Sequence, residues 1–189
     1  MASARADTRG RILDATLETL RTVGFAGATS RAIARAAGVN QALVFYHFGS
    51  LDATLLAALD QTSEARLARY RAAVAEAQGA EELAGVLARV YQEDRDSGHM
   101  SVVAQMVAGS VAHPQLAPAM LERMRPWLRL AEEALRKAEI PEVVPLPDLA
   151  YAVVTFYLGV NLLTHLDQDR SRTDALFAHG PTVAKLFAS

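Results

Sequence analysis

Apolar residues recur every third or fourth position through most of the chain, and strand-like Val/Ile/Thr alternation is nearly absent. The pattern predicts an all-α protein of about nine helices. Thr8–Val23 reads as the first, with Leu13, Leu17 and Leu20 on one stripe, Ile12 beside them, and Gly24 placed as a left-handed cap to end it. Thr29 is the expected cap of a short second helix, Ser30–Ala37, and Asn40 of a third, Gln41–Phe48. Ser50 opens a long fourth helix from Leu51 into the Ala75 region. Further helices are expected at about Glu81–Asp94, His99–Ala112, Pro114–Ala138, Pro147–Leu166 and Arg172–Ala188. Pro126 removes a backbone donor and should kink or split its helix, and Gly180-Pro181 should interrupt the last one. Pro141–Pro147 reads as the clearest loop. This punctuation predicts a head at residues 1–50 and a body at 51–189.

Two short helices joined by a tight turn can project the second into a DNA major groove, provided they pack closely and the turn is sharp. Close approach asks for a small residue in the first helix, and Ala34 is there. The turn asks for positive φ, and Gly38 follows in register. Val44 is then the inward anchor, with Ile33, Ala37 and Val39 completing the buried side. Gln41, Ala42, Phe45 and Tyr46 are left facing outward, with Leu43 and His47 at the flanks. At the N-terminal end of that helix the Gln41 amide can pair bidentately with an adenine, while Ala42 and Leu43 can meet thymine methyls. Thr29, Ser30 and Arg31 are placed to hold phosphates. Asn40 closes this DNA-facing set, and His47 suits a structural or phosphate hydrogen bond.

Charge sharpens the division. Residues 1–50 carry six arginines against three acids, a net +3, so the remainder of a chain of net −2 carries −5. A basic head on an acidic body is expected if only the head meets phosphate. An apolar share of 51% against 21% charged residues is ample for a core and argues against disorder. The absence of cysteine excludes disulfides, thiolate metal sites and cysteine nucleophiles. Met1–Asp7 has no apolar stretch of the signal-peptide kind, so a cytoplasmic location is expected. Leu149–Leu166 contains no Asp, Glu, Lys or Arg and is long enough to span a membrane. It also carries Tyr151, Thr155, Tyr157, Asn161, Thr164 and His165, and a soluble helix covered on several sides is the expectation.

The stretch Thr8–Leu56, TRGRILDATLETLRTVGFAGATSRAIARAAGVNQALVFYHFGSLDATLL, resembles the head of the tetracycline-repressor (TetR) family. Its most specific part is IARAAGVNQALVFYHFGS, above all Tyr46-His47-Phe48 before a Gly-Ser turn. The resemblance covers the head alone. It implies a homodimer on a palindromic double-stranded DNA operator, repressing, and released when a small ligand enters the body. The family's DNA-facing positions fall on Thr29, Arg31, Gln41, Ala42, Leu43, Phe45, Tyr46 and His47. Phe45 stands where a tyrosine is common and Leu51 where a lysine is usual, so fewer phosphate contacts and a shallower salt dependence are expected.

In the body, Leu149, Val153, Phe156, Val160 and Leu163 form one stripe; Tyr151, Val154, Leu158, Leu162 and His165 form another. The simplest cover is the protein's own interior on one side and a second subunit on the other. The resemblance likewise puts a homodimer interface at about 147–166 and 172–188. Met100, Met106, Met120 and Met124, with Trp127, would line an adaptable pocket for a small apolar or aromatic effector if they converge. Gln105, Asn161 and His165, with Tyr91 or Tyr157, could orient it. The same methionines serve equally well as core filler, and the polar groups as partners of local backbone.

An enzyme is not expected. There is no Gly-x-Ser-x-Gly elbow, no phosphate-cradling glycine loop and no His-Glu-x-x-His helix. No cofactor or metal is expected either, because Asp96-x-x-His99 lacks the repeated partner of a di-metal bundle. The rival to a regulator is a helical adaptor using the head for protein contacts.

Overall fold

Strong helix formers ahead of Thr8 carry the first helix back to the start of the chain: α1 runs Ala2–Gly27 and includes Ala4, Arg5 and Ala6. Gly24 interrupts it with φ 71° and ψ −178°. That conformation is essentially reserved for glycine and differs from the left-handed cap expected there. α2 (Ser30–Ala36) starts at Thr29, whose hydroxyl accepts from the Ala32 N–H at 3.1 Å. α3 (Gln41–Phe48) starts at Asn40, whose side-chain oxygen accepts from the Leu43 N–H at 2.9 Å. α4 (Leu51–Glu76) follows Ser50, which accepts from the Ala53 N–H at 3.0 Å.

Next come α5 (Gly79–Ser97), α6 (His99–Ala112), a short 3-10 turn at Pro114–Leu116, α7 (Ala117–Lys137), α8 (Leu146–Leu166), α9 (Ser171–Ala178) and α10 (Gly180–Lys185). The protein is all-α, with ten α-helices and no strand among the described residues. The expected break at Gly180-Pro181 is the junction of α9 and α10. Pro126 does not split α7, which stays one helix.

The computed structural model describes residues 2–139, 144–166 and 170–185, and the side chains of 2–4, 165–166 and 183–185 lie outside that description. The expected roles of His165 and of positions 186–188, and positions 141–143 of the Pro141–Pro147 loop, therefore fall outside the described residues.

Two compact units are present: Met1–Ala65 with Ser101–Glu122, and Arg66–Met100 with Arg123–Ser189. The first is centred on Ile12, Leu17, Leu20, Ile33, Val44, Leu55, Val102, Met106 and Leu116, all buried. Thr16 and Thr19 are buried among them without cost, because their hydroxyls donate to the Ile12 and Ala15 carbonyls at 2.7 and 2.6 Å. The second unit packs Tyr70, Val74, Ala77, Leu83, Val86 and Leu130 together, with Trp127 against them. There Lys137 Nζ donates to the Val74 and Ala75 carbonyls at 3.0 and 2.6 Å, closing the C-terminal end of α4.

Candidate functional site

The geometry of α2 and α3 follows from three small-residue choices. Ala34 is buried between packed helices, and Gly38 turns the chain with φ 64°. The Val39 N–H then donates to the Ala34 carbonyl at 3.0 Å, so the turn closes on α2 itself. Val44 is fully buried beneath α3, together with Ile33. With that face anchored, Gln41, Ala42, Phe45 and Tyr46 are exposed, Tyr46 at 63%, and Leu43 and His47 are half-buried at the flanks. Thr29, Arg31 and Asn40 are exposed and Ser30 half-buried along the adjoining edge. The caps Thr29 and Asn40 spend their side-chain oxygens on backbone N–H groups.

Gln41 is held before any ligand arrives. Its Nε2 donates to Ser30 Oγ at 2.7 Å, which uses one of two amide hydrogens and leaves the other, with the carbonyl oxygen, for a base edge. Tyr46 meets His47 edge-on at 5.3 Å between ring centroids. The Arg5 guanidinium carbon lies 5.1 Å from the centre of the Tyr46 ring, and Arg9 similarly covers Phe48 at 5.3 Å. The start of α1 thus places two cations beside the exposed edge of α3.

The residues expected to line a pocket divide between the units. Gln105, Met106 and Met120 belong to the first: Met106 and Met120 are buried in its core, and Gln105 Oε1 accepts from the Phe25 N–H at 3.1 Å. Met100, Met124, Trp127, Tyr157 and Asn161 belong to the second. There Asn161 donates to the Tyr157 carbonyl at 2.8 Å, a local backbone bond.

Trp127 and Tyr157 flank a polar cluster whose charged members sequence reasoning missed. Buried Arg66 of α4 pairs with buried Asp94 of α5. Tyr157 donates to the second Asp94 oxygen at 2.5 Å, and Tyr70 donates to Glu93 at 3.1 Å and toward Asp94 at 3.4 Å. Arg66 also lies over the Tyr70 and Trp127 rings, 5.7 and 5.6 Å from their centres. Burial lowers the Arg66 pKa, opposed by its Tyr70 and Tyr157 neighbours. Burial likewise pushes the Tyr157 phenol well above its ordinary range, so it stays protonated and donates. The signal was present in sequence: Arg66 sits in register with Leu59, Tyr70 and Val74, and Asp94 with Leu83, Val86 and Tyr91. Opposite charges on two core stripes imply a buried pair. No cluster of His, Asp or Glu among the described residues has metal-binding geometry.

A buried anchor, a glycine turn and an outward second helix define a helix-turn-helix DNA-binding protein with an all-helical body. Residues 12–58, the head of this chain, match the model for bacterial regulatory proteins of the tetR family. It is similar to the HTH-type transcriptional regulator UidR of Escherichia coli K12, 23% identical over 176 residues, which span 92% of this chain and 88% of that protein. The fatty acid degradation regulator FadR from Bacillus halodurans shares the fold with a TM-score of 0.77 at 17% identity, over 93% of each chain. The multidrug binding protein EbrR, solved in complex with malachite green, is 28% identical with a TM-score of 0.67, over 95% of this chain and 96% of that one.

Proposed function

We propose that the chain is a cytoplasmic repressor that binds a palindromic operator as a homodimer and leaves it when a small apolar or aromatic molecule enters the body. One observation carries the DNA reading. Val44 is fully buried while Tyr46, two positions along the same short helix, is 63% exposed beside Gln41 and Phe45. A helix so anchored presents a fixed ridge to a groove. Thr29, Ser30, Arg31 and Asn40 border that ridge as phosphate contacts, and Ala42, Leu43 and His47 complete it. The effector reading draws support from the malachite green held by EbrR.

The dimer reading rests on α8 and α9. Leu146–Thr164 is apolar and long enough to cross a membrane, yet only 11% of it is buried within this chain. Tyr151, Phe156, Leu162 and Leu163 are exposed on α8, and Leu176 on α9. They come from both stripes of α8, so a single covering surface does not match either stripe alone. A second copy of 147–166 and 172–188 would cover them, and two-fold symmetry would place two α3 helices for two half-sites.

Selection of bound sequences from a random DNA pool tests the proposal, paired with a Gln41→Ala/Tyr46→Ala variant in gel-shift assays. A palindromic consensus with half-sites about one helical turn apart, lost in the variant, is the expected result. Failure to enrich any sequence would overturn the DNA reading and favour an adaptor that uses the head for protein contacts.

A further inference from the structure

Two buried polar groups in the cluster around Asp94 have no hydrogen-bond partner among the described residues: Arg66 Nη1 and the Tyr91 hydroxyl. Arg66 is 9% exposed and Tyr91 1%. Such groups are few in folded proteins, and two in one cluster ask for a cause. They share a neighbourhood. Tyr91 lies one turn before Asp94 on the same face of α5, and its ring stacks on Phe177 at 4.2 Å, which meets Tyr157 edge-on at 6.2 Å. Tyr157 in turn donates to Asp94, the partner of Arg66.

The chemistry of a matching group follows from what is already used. Asp94 accepts from Arg66 on one oxygen and from Tyr157 on the other, so both oxygens are engaged. What remains is an N–H and an O–H, both able to donate. Charge is already balanced, with Arg66 against Asp94 and Arg69 against Glu93 at 2.8 Å. A carboxylate on the ligand would add an uncompensated anion beside buried Asp94, and an ammonium would meet the Tyr91 hydroxyl oxygen as acceptor but bring a second cation to the buried Arg66. A neutral acceptor oxygen costs neither. The half-buried Trp127 ring supplies flat apolar surface nearby.

We infer that the body recognises a neutral aromatic or flat apolar molecule bearing a carbonyl oxygen, and that Arg66 Nη1 and Tyr91 Oη donate to that oxygen. This rests on the reading of the body as an effector domain.

Four probes of one size separate the possibilities: acetophenone, benzoate, benzylammonium and ethylbenzene, titrated into the full chain by calorimetry and ligand-observed NMR at millimolar concentration. Acetophenone should bind at least tenfold tighter than the other three. Tyr91→Phe, and Arg66→Lys, which keeps the charge on Asp94 but loses the second donor arm, should each weaken acetophenone about fivefold and leave ethylbenzene unchanged. Tyr91→Phe should also raise the melting temperature of the ligand-free protein by about 2–4 °C, since it deletes an unpaired buried hydroxyl.

Tightest binding of benzoate would overturn the inference in favour of an anion site, and of benzylammonium in favour of recognition by Asp94. Equal binding of all four, or none, would show that these two groups select no ligand oxygen. A lower melting temperature for Tyr91→Phe would show that the hydroxyl is already satisfied. Gel shifts on the same variants keep the two readings apart: operator binding retained while the probe pattern fails sinks this inference alone.

Discussion

The side chain of Gln105 accepts a hydrogen bond from the backbone N–H of Phe25 across 80 positions of sequence, at 3.1 Å. Gly24 makes that approach possible. A Cβ at Gly24 would stand 3.0 Å from Gln105 Oε1, in a backbone conformation side chains rarely adopt. One turn further along α6, Gly109 leaves room for the Phe25 ring, which also tilts against His113 at 5.3 Å. The end of α1 is therefore seated on α6 by one hydrogen bond and one missing side chain.

Gly109→Ala should disturb that seat, because its Cβ would fall 2.3 Å from Phe25 Cδ2 and the ring must move. Overpacking of this kind costs about 1–3 kcal/mol, and Gln105→Ala, which leaves the Phe25 N–H without its acceptor, about 1 kcal/mol. In thermal melts Gly109→Ala should lose several degrees and Gln105→Ala fewer. A Gly109→Ala protein as stable as wild type would show that α1 is free to shift.

Leu51, half-buried at the start of α4, brings no cation to the phosphates. Leu51→Lys should steepen the dependence of operator affinity on salt, by about 0.9 in log–log slope for each phosphate neutralised and about twice that for a pair of heads. Titrations across a range of potassium chloride concentrations give the comparison. Superimposable slopes for the two proteins count against the idea.

For the dimer, the informative change is a charge on the exposed ridge of α8. Phe156→Asp with Leu163→Asp leaves the interior untouched, since both residues are more than half exposed. Sedimentation equilibrium should report a dimer for wild type and a monomer for the double variant, and the monomer should bind operator at least tenfold more weakly. A variant that still sediments as a dimer would place the subunit contact elsewhere.

Alkaline pH probes the buried cluster. The Tyr157 phenol is raised above its unfolded value of about 10, chiefly by burial, with Arg66 opposing and Tyr70 and Tyr91 reinforcing. A pKa raised in the folded state means that the folded protein holds the proton more tightly. This contribution to stability is complete below about pH 10 and disappears as pH climbs toward the folded value. The melting temperature should fall above that point. Tyr157→Phe should flatten the alkaline fall while lowering the neutral melting temperature, because Asp94 loses a donor. An unchanged alkaline profile in the variant would remove Tyr157 from the account.

Most of the head was legible because local chemistry decides it. Thr29, Asn40 and Ser50 cap where their side-chain oxygens meet free N–H groups, and Gly38 turns where positive φ is needed. The earlier start of α1 was missed because no capping residue marks it; only the propensity of Ala and Arg does. Pro126 was overweighted, since α7 runs through it as one helix. The body was harder. Periodicity marked α8 as apolar all round, but it cannot distinguish a face turned inward from one left for another chain. The Met and polar set has members in both units, and spacing along one helix does not encode how helices assort. Arg66 and Asp94 lie on apolar stripes of different helices, and each looks like a surface charge until the two are paired.

Trp127 is the chain's single tryptophan, and its ring lies 5.6 Å from the Arg66 guanidinium and 6.1 Å from the Tyr70 ring. Indole emission from this protein therefore originates beside the buried ion pair and nowhere in α1, α2 or α3. A change in its colour or lifetime is a local optical signal from the body, while labelled operator supplies an independent one from the head. The order in which the two signals move after rapid mixing would separate a ligand that strips the regulator from DNA from one that captures it after spontaneous release.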